Sequence, residues 1–223
     1  MNNTTIEYAD FAEYDRRQRA IEHHLLGAFF GGLAVGMLGM LLSGDGPHWA
    51  GQIYDPYAYL ALSLVVGATA SGFAWALLTT FLASLSTLVA AIGASALRGA
   101  DPFHLTGPGA AGLNWTLALL VCLGLLAYAT RRDDVWGDVA AGAVGAALIA
   151  DVVARAAPGV VESEQSFWPG PAVVIGVLTV AAVLVLRRNV RGRVRALALS
   201  ATLAGLVTAG MTAAMVGWFP LAG

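Results

Sequence analysis

The chain has 223 residues, 58% of them hydrophobic and only 12% charged, against roughly a quarter charged in an ordinary soluble domain. Its apolar residues come in blocks of membrane-spanning length rather than at helical alternation, which excludes a soluble helical protein. The short-strand alternation of a membrane barrel is absent. The net charge of −2 says little, because what matters is where each charge sits. All twelve cations are arginine, and the lone Cys122 excludes a disulfide framework or a cysteine metal site.

Backbone amides in hydrocarbon must be satisfied within their own segment, so each block is expected to be a helix. The tail, residues 1–22, carries Arg16, Arg17 and Arg19 among five carboxylates. Tyr8, Phe11, Tyr14, Ile21 and Leu25 fall on one helical face. Glu13 with Arg17 and Asp15 with Arg19 have the spacing that supports a helix. A short amphipathic helix at the membrane surface, running into the first span, is expected. No cleavable signal is expected, since the first apolar block follows this tail and is span-length.

Span 1 covers about 24–42. Gly27/Gly31 and Gly32/Gly36 form two G-x-x-x-G registers, which let another helix approach closely, within the chain or on another membrane subunit. A loop, Ser43 to Asp55, is expected next, with Pro47, His48 and Trp49 but no arginine.

Pro56 to Leu97 is then a run without charge. As one helix it would be about 60 Å long, twice the thickness of a bilayer core of about 30 Å. It must fold back as two spans, about 57–77 and 79–97, with the turn somewhere between Ala70 and Phe81. Loop 98–111 is irregular, and span 4 covers about 113–130, ending at Arg131 and Arg132. Span 5 covers about 135–157, and the acidic loop 158–171 leads to span 6, about 172–186. Arg187, Arg188, Arg191, Arg193 and Arg195 follow, then span 7 at about 197–218.

Arginine-rich short loops stay cytoplasmic. Seven spans put the tail, the 131–134 turn and the 187–195 loop on one side, with the acidic 158–171 loop on the other. The expected fold is therefore an all-α polytopic bundle of seven transmembrane helices, N-terminus in and C-terminus out. It comprises a 1–22 segment and a 23–218 membrane domain, in the cell (plasma) membrane. Trp49, Trp115, Trp136, Trp168 and Trp218 fall near span ends, as an aromatic belt would. Trp75 is expected deeper.

Ionisable residues inside spans are expensive and are functional candidates by default. Asp151 and Arg155 in span 5 are four apart and can pair. Asp138, near the inner end of that span, is expected to cap the helix start. Gly137-Asp138-Val139 resembles the G-D-V opening of a catalytic helix in prepilin-type aspartic peptidases, which would make Asp138 catalytic. The resemblance covers three residues, and the second aspartate those enzymes need has no counterpart in this sequence. A rhodopsin is excluded, because a retinal Schiff base requires a lysine.

His48, His104, Asp45, Asp55, Asp101, Glu162 and Glu164 all fall on the outer side without matching a metal template, and neither metal nor cofactor is expected. His23 and His24 are expected as anchors at the inner interface. Three function classes follow: a transport-related protein or membrane subunit of a larger complex, an enzyme using Asp151 on a lipid or isoprenoid-like substrate, and an assembly factor. Beyond the lipid bilayer and other membrane subunits no partner is expected, and no nucleic acid.

Overall fold

The computed structural model describes residues 8–45, 47–99, 109–156, 167 and 169–215. These residues form eight helices, with no strand among them. Four helices are long and apolar enough to cross a membrane: Glu13–Leu42 within α1 (Tyr8–Asp45), α4 (Phe73–Leu97), Ala111–Ala129 within α5 (Gly109–Ala129), and α6 (Val135–Ala156). α3 (Tyr57–Thr69) and α7 (Gly170–Leu186) are shorter apolar helices of 13 and 17 residues. α2 (His48–Tyr54) and α8 (Val190–Met215) complete the set.

Three elements differ from expectation. The tail is not a separate surface helix: α1 runs without a break for 38 residues, about 57 Å at 1.5 Å per residue. The Asp15–Arg19 pair forms at 2.6 Å, whereas Glu13 and Arg17 form none. The stretch expected as a loop before Asp55 contains α2, which starts directly after Pro47. Span 2 ends at Thr69, well short of Leu77, because Ala70 and Gly72 are both extended. The guanidinium of Arg131, at the far end of α5, donates to the Ala70 carbonyl that this turn frees. α4 consequently takes 25 residues of the uncharged run.

The bundle is held by close backbone approach where side chains are small. α1 packs chiefly on α4, α6 on α8, and α3 on α5. A Cβ on Gly32 would overlap the Ala83 carbonyl and the Ser86 hydroxyl, and one on Gly36 the Thr87 carbonyl. Gly67 lies against the backbone of Gly124, and Gly124 against Thr80. On α6, Gly142 and Gly145 receive Leu199 and Ser200 of α8, and the Ser200 hydroxyl donates to the Gly142 carbonyl at 3.1 Å. Of the four glycines singled out in span 1, Gly32 and Gly36 thus receive a helix of the same chain. Gly31 meets only Leu62, and Gly27 faces open space.

This contrast predicts unequal effects. Gly32→Val and Gly36→Val are each expected to destabilise the protein by about 1–3 kcal/mol through overpacking. Gly27→Val should stay within about 0.5 kcal/mol. Thermal unfolding in detergent measures all three, and equal melting temperatures would contradict the α1–α4 contact.

Hydrogen bonds sort the helix ends into two groups. At one end, Arg131 ties the close of α5 to that of α3, and Arg187 ties the close of α7 to Thr130 and Arg132. Arg17 lies beside Thr69 and Ser71 at this end. At the other end, Arg98 closes α4 onto the Met40 carbonyl of α1 at 2.9 Å, and Tyr57 reaches Asp151. Ten of the twelve arginines belong to the first group, all but Arg98 and Arg155. Trp75 stands in the first turn of α4 at this arginine-rich end, not deep in the bundle. Trp49, Trp115 and Trp136 are exposed, while Trp168 and Trp218 lie outside the described residues. The outward faces of the long helices are apolar, with Leu26, Phe30, Val65, Leu78 and Leu206 all exposed.

Candidate functional site

The arginine-poor end of the bundle holds a cavity of about 150 Å³ between α3, α4, α5 and α6. Two carboxylates, Asp55 and Asp151, line it together with Tyr59 and Thr116, over a wall of leucines. Asp151 is carried on α6 one helical turn after Ala147, which lines the same cavity, so the face leading to the carboxylate is small. Asp55 comes from the break between α2 and α3. Its backbone N–H still closes α2 on the Gly51 carbonyl at 2.9 Å. Pro56 then opens α3, its carbonyl accepting from the N–H groups of Tyr59 and Leu60.

Asp151 and Arg155 pair as their spacing requires, with Arg155 Nε 3.1 Å from Asp151 Oδ2. The structure adds a partner that sequence reasoning missed. The Tyr57 hydroxyl donates to the same Oδ2 at 2.5 Å, and the Arg155 guanidinium lies 6.0 Å from the centre of the Tyr57 ring. Tyr57 in turn stacks on Phe167, with centroids 6.5 Å apart. A tyrosine opening α3, 94 positions before Asp151, gives no local signal of this contact. Both donors converge on one oxygen, and among the described residues Oδ1 accepts no hydrogen bond. The side chains of Arg155 and Asp151 keep 31% and 34% of their surface, so this is a half-open pair rather than a sealed one.

Asp138 is not the cap of α6. The cap is Asp134, whose Oδ1 accepts the Gly137 N–H at 3.1 Å while Oδ2 takes both Nε and Nη2 of Arg132. Partial desolvation pushes the Asp134 carboxyl up, but the Arg132 side chain and the Gly137 N–H pull harder and hold it below its ordinary value. Asp138 is instead buried with Arg187 in an ion pair, Oδ1 to Nη2 at 2.5 Å, the side chains 5% and 6% exposed. Arg195 stands further off, 3.7 Å from Oδ2, and is itself exposed. The close Oδ1 contact is ionic rather than an aligned hydrogen bond, and Arg187 Nε has no hydrogen-bond partner.

Arg187 Nη1 is fully used. It donates to the carbonyls of Thr130 at 2.8 Å and Arg132 at 2.6 Å. The carbonyl of Arg187 accepts Arg193 Nε at 2.7 Å. One residue therefore clamps the close of α5 and the start of α6 through its side chain and the turn into α8 through its carbonyl. Glycines make room for it: a Cβ on Gly192 would lie 2.7 Å from Asp138 Oδ1 and 3.0 Å from Arg187 Nε. A Cβ on Gly137 would overlap the Arg132 carbonyl. The buried pair suits a structural clamp, and Asp138 also borders a cavity of about 310 Å³ with Val135, Arg195, Ala198, Leu199 and Thr202.

Of the outer-side ligand candidates, only Asp55 has a described side chain. Asp45 and His48 lie in helices whose side chains at these positions are not described, and Asp101, His104, Glu162 and Glu164 fall outside the described residues. At the opposite end, His23 Nδ1 lies 2.7 Å from the Arg19 carbonyl, whereas His24 turns toward the bundle. Compared with protein-family models, with curated proteins and with solved structures, the chain matches none. The class the fold defines is an all-helical protein with several helices able to cross a membrane.

Proposed function

We propose that the chain is a seven-span membrane protein of the transport class, N-terminus in and C-terminus out, with the Asp55–Asp151 cavity as its site for a small cation or a proton. The observation that carries this reading is the interrupted helix. Between α2 and α3 the backbone leaves helical geometry at Asp55 and Pro56, and it does so on a cavity that also holds Asp151. Irregular backbone at membrane depth is tolerated where it lines a cavity, and transporters build ion and substrate sites at such breaks. Two carboxylates lining one cavity favour a cation over an anion.

Volume argues against the enzyme reading. At about 30 Å³ of liquid volume per water, 150 Å³ admits about five waters, and drug-sized ligand pockets start near 300 Å³. A cavity of this volume suits an ion and part of its hydration shell better than an isoprenoid-like substrate. The purified chain in liposomes is expected to pass H⁺, Na⁺ or K⁺ along an imposed gradient. Liposomes no leakier than protein-free ones to all three would retire the transport reading. A membrane-subunit role would then stand on helical glycines that still face open space, Gly27 on α1, Gly93 on α4, Gly176 on α7, and Gly205 and Gly210 on α8.

The orientation rests on the gathering of ten arginines at one end, the end that stays cytoplasmic in short-looped proteins. A reporter active only in the cytoplasm is expected to work when inserted between Arg188 and Val190 and to be silent after Gly223. Activity at the C-terminus would overturn the topology. All five arginines of the 187–195 cluster are expected to be topogenic, since each keeps its charge whatever it contacts in the folded state.

A further inference from the structure

At the arginine-rich end a second cavity, about 180 Å³, opens between α1 and the α3–α4 turn. Arg17, His24, Thr69, Ser71, Trp75 and Thr79 line it, and no carboxylate does. Arg17 and His24 are seven residues apart on α1, two turns on one face, about 10 Å along the axis. Arg17 is the cation whose expected partner, Glu13, does not engage it, and it makes no ion pair among the described residues. His24 Nε2 is buried without a hydrogen-bond partner. Thr69 and Thr79 spend their hydroxyl protons on the carbonyls of Val65 and Trp75, at 2.7 Å each. Arg17, His24 and Ser71 are what remains to meet a ligand. The first turn of α4 adds N–H groups, since its N-cap, Gly72, brings no side chain to them.

From this we infer that the cavity binds a phosphate-bearing anion. The guanidinium forks onto phosphate oxygens, the His24 Nε2–H donates from the side, and the positive end of α4 favours the charge. Room for about six waters admits a phosphate group and little more, so the rest of the ligand must lie outside the cavity. Trp75, partly exposed at the rim, is the residue type that sits at headgroup level. Two sources share this chemistry, the headgroup of an anionic phospholipid in the inner leaflet and a soluble phosphate. The lipid source rests on the orientation proposed above, and phosphate binding itself does not.

The test uses the full chain purified in detergent and in nanodiscs. Native mass spectrometry counts phosphatidylglycerol retained against phosphatidylcholine, and thermal unfolding is followed with inorganic phosphate against chloride at equal ionic strength. Arg17→Gln, His24→Gln and Ser71→Ala are compared with Arg188→Gln, which removes one charge from the same end away from the cavity. If the lipid occupies the site, retention of phosphatidylglycerol falls more than about tenfold in Arg17→Gln, as for a lost charge-assisted hydrogen bond. Arg188→Gln should cost at most about fivefold, the surface-charge effect. If a soluble phosphate occupies it, phosphate raises the melting temperature of the wild type and not of Arg17→Gln or His24→Gln. Equal losses in Arg17→Gln and Arg188→Gln, with no phosphate-dependent stabilisation, overturn the proposal. An inverted reporter result with phosphate binding intact removes only the inner leaflet as the source.

Discussion

Asp138→Asn is expected to lower the stability of the folded protein by about 3–5 kcal/mol, the cost of leaving one member of a buried ion pair without its partner. Both side chains are sealed, so water cannot take the place of the missing carboxylate. Arg187→Gln should cost as much, because it strands Asp138 and also abandons the carbonyls of Thr130 and Arg132. The double variant Asp138→Asn/Arg187→Gln is where this clamp parts from an isolated pair. Charge balance is restored, but the buried Thr130 carbonyl remains unsatisfied at about 1–3 kcal/mol, and the half-buried Arg132 carbonyl loses its donor as well. Only partial recovery is therefore expected. Thermal unfolding in a single detergent at fixed salt measures the three, and a double variant as stable as the wild type would show that the carbonyl contacts contribute nothing. Gly192→Ala should move in the same direction as Asp138→Asn, since its Cβ presses on both partners.

The clamp also marks the limit of what was legible in the sequence. The all-helical class and the approximate bounds of most apolar helices followed from block length, and the grouping of helix ends followed from where the arginines fall. Both depend on local composition, which one sequence displays. The α2 helix and the early end of α3 did not follow from it. The role of Asp138 did not follow, because its partner lies 49 positions away inside a run of five arginines that all read alike. Only packing separates Arg187, which is buried, from Arg188, which is exposed. The glycines at 137 and 192 were the available signal, small residues flanking opposite charges, but glycine is so frequent here that two more carried no weight. Asp55 stands among the outer-side ligand candidates in the sequence, but its place at the end of an expected loop gives no sign that α2 precedes it or that it shares a cavity with Asp151. The Asp151–Arg155 pair, four apart on one helix, was legible in full, and Tyr57 was not.

Asp151→Asn is expected to abolish cation or proton passage while leaving the fold nearly intact, the reverse of Asp138→Asn. The difference lies in geometry. Asp151 and Arg155 retain about a third of their surface beside a cavity with room for water, so a lone Arg155 can be hydrated. Half-open pairs of this kind are worth about 0–1 kcal/mol, not the 3–5 of a sealed one. Asparagine also keeps an oxygen to accept from Tyr57, so the stack of Tyr57 on Phe167 need not move. What it lacks is the negative charge and the ability to take up a proton. Arg155→Gln removes the cation paired with Asp151, which should strengthen cation binding and slow release. The double variant Asp151→Asn/Arg155→Gln separates the readings. If the pair serves only to fix α6, the double variant is stable and active; if Asp151 carries the cation or proton, it is stable and inactive. Melting temperature and ion flux in liposomes, measured on the same preparations, decide between them. Activity in the double variant would leave Asp151 no functional role, and with Asp138 already committed to Arg187, no other carboxylate described within α6 could take its place.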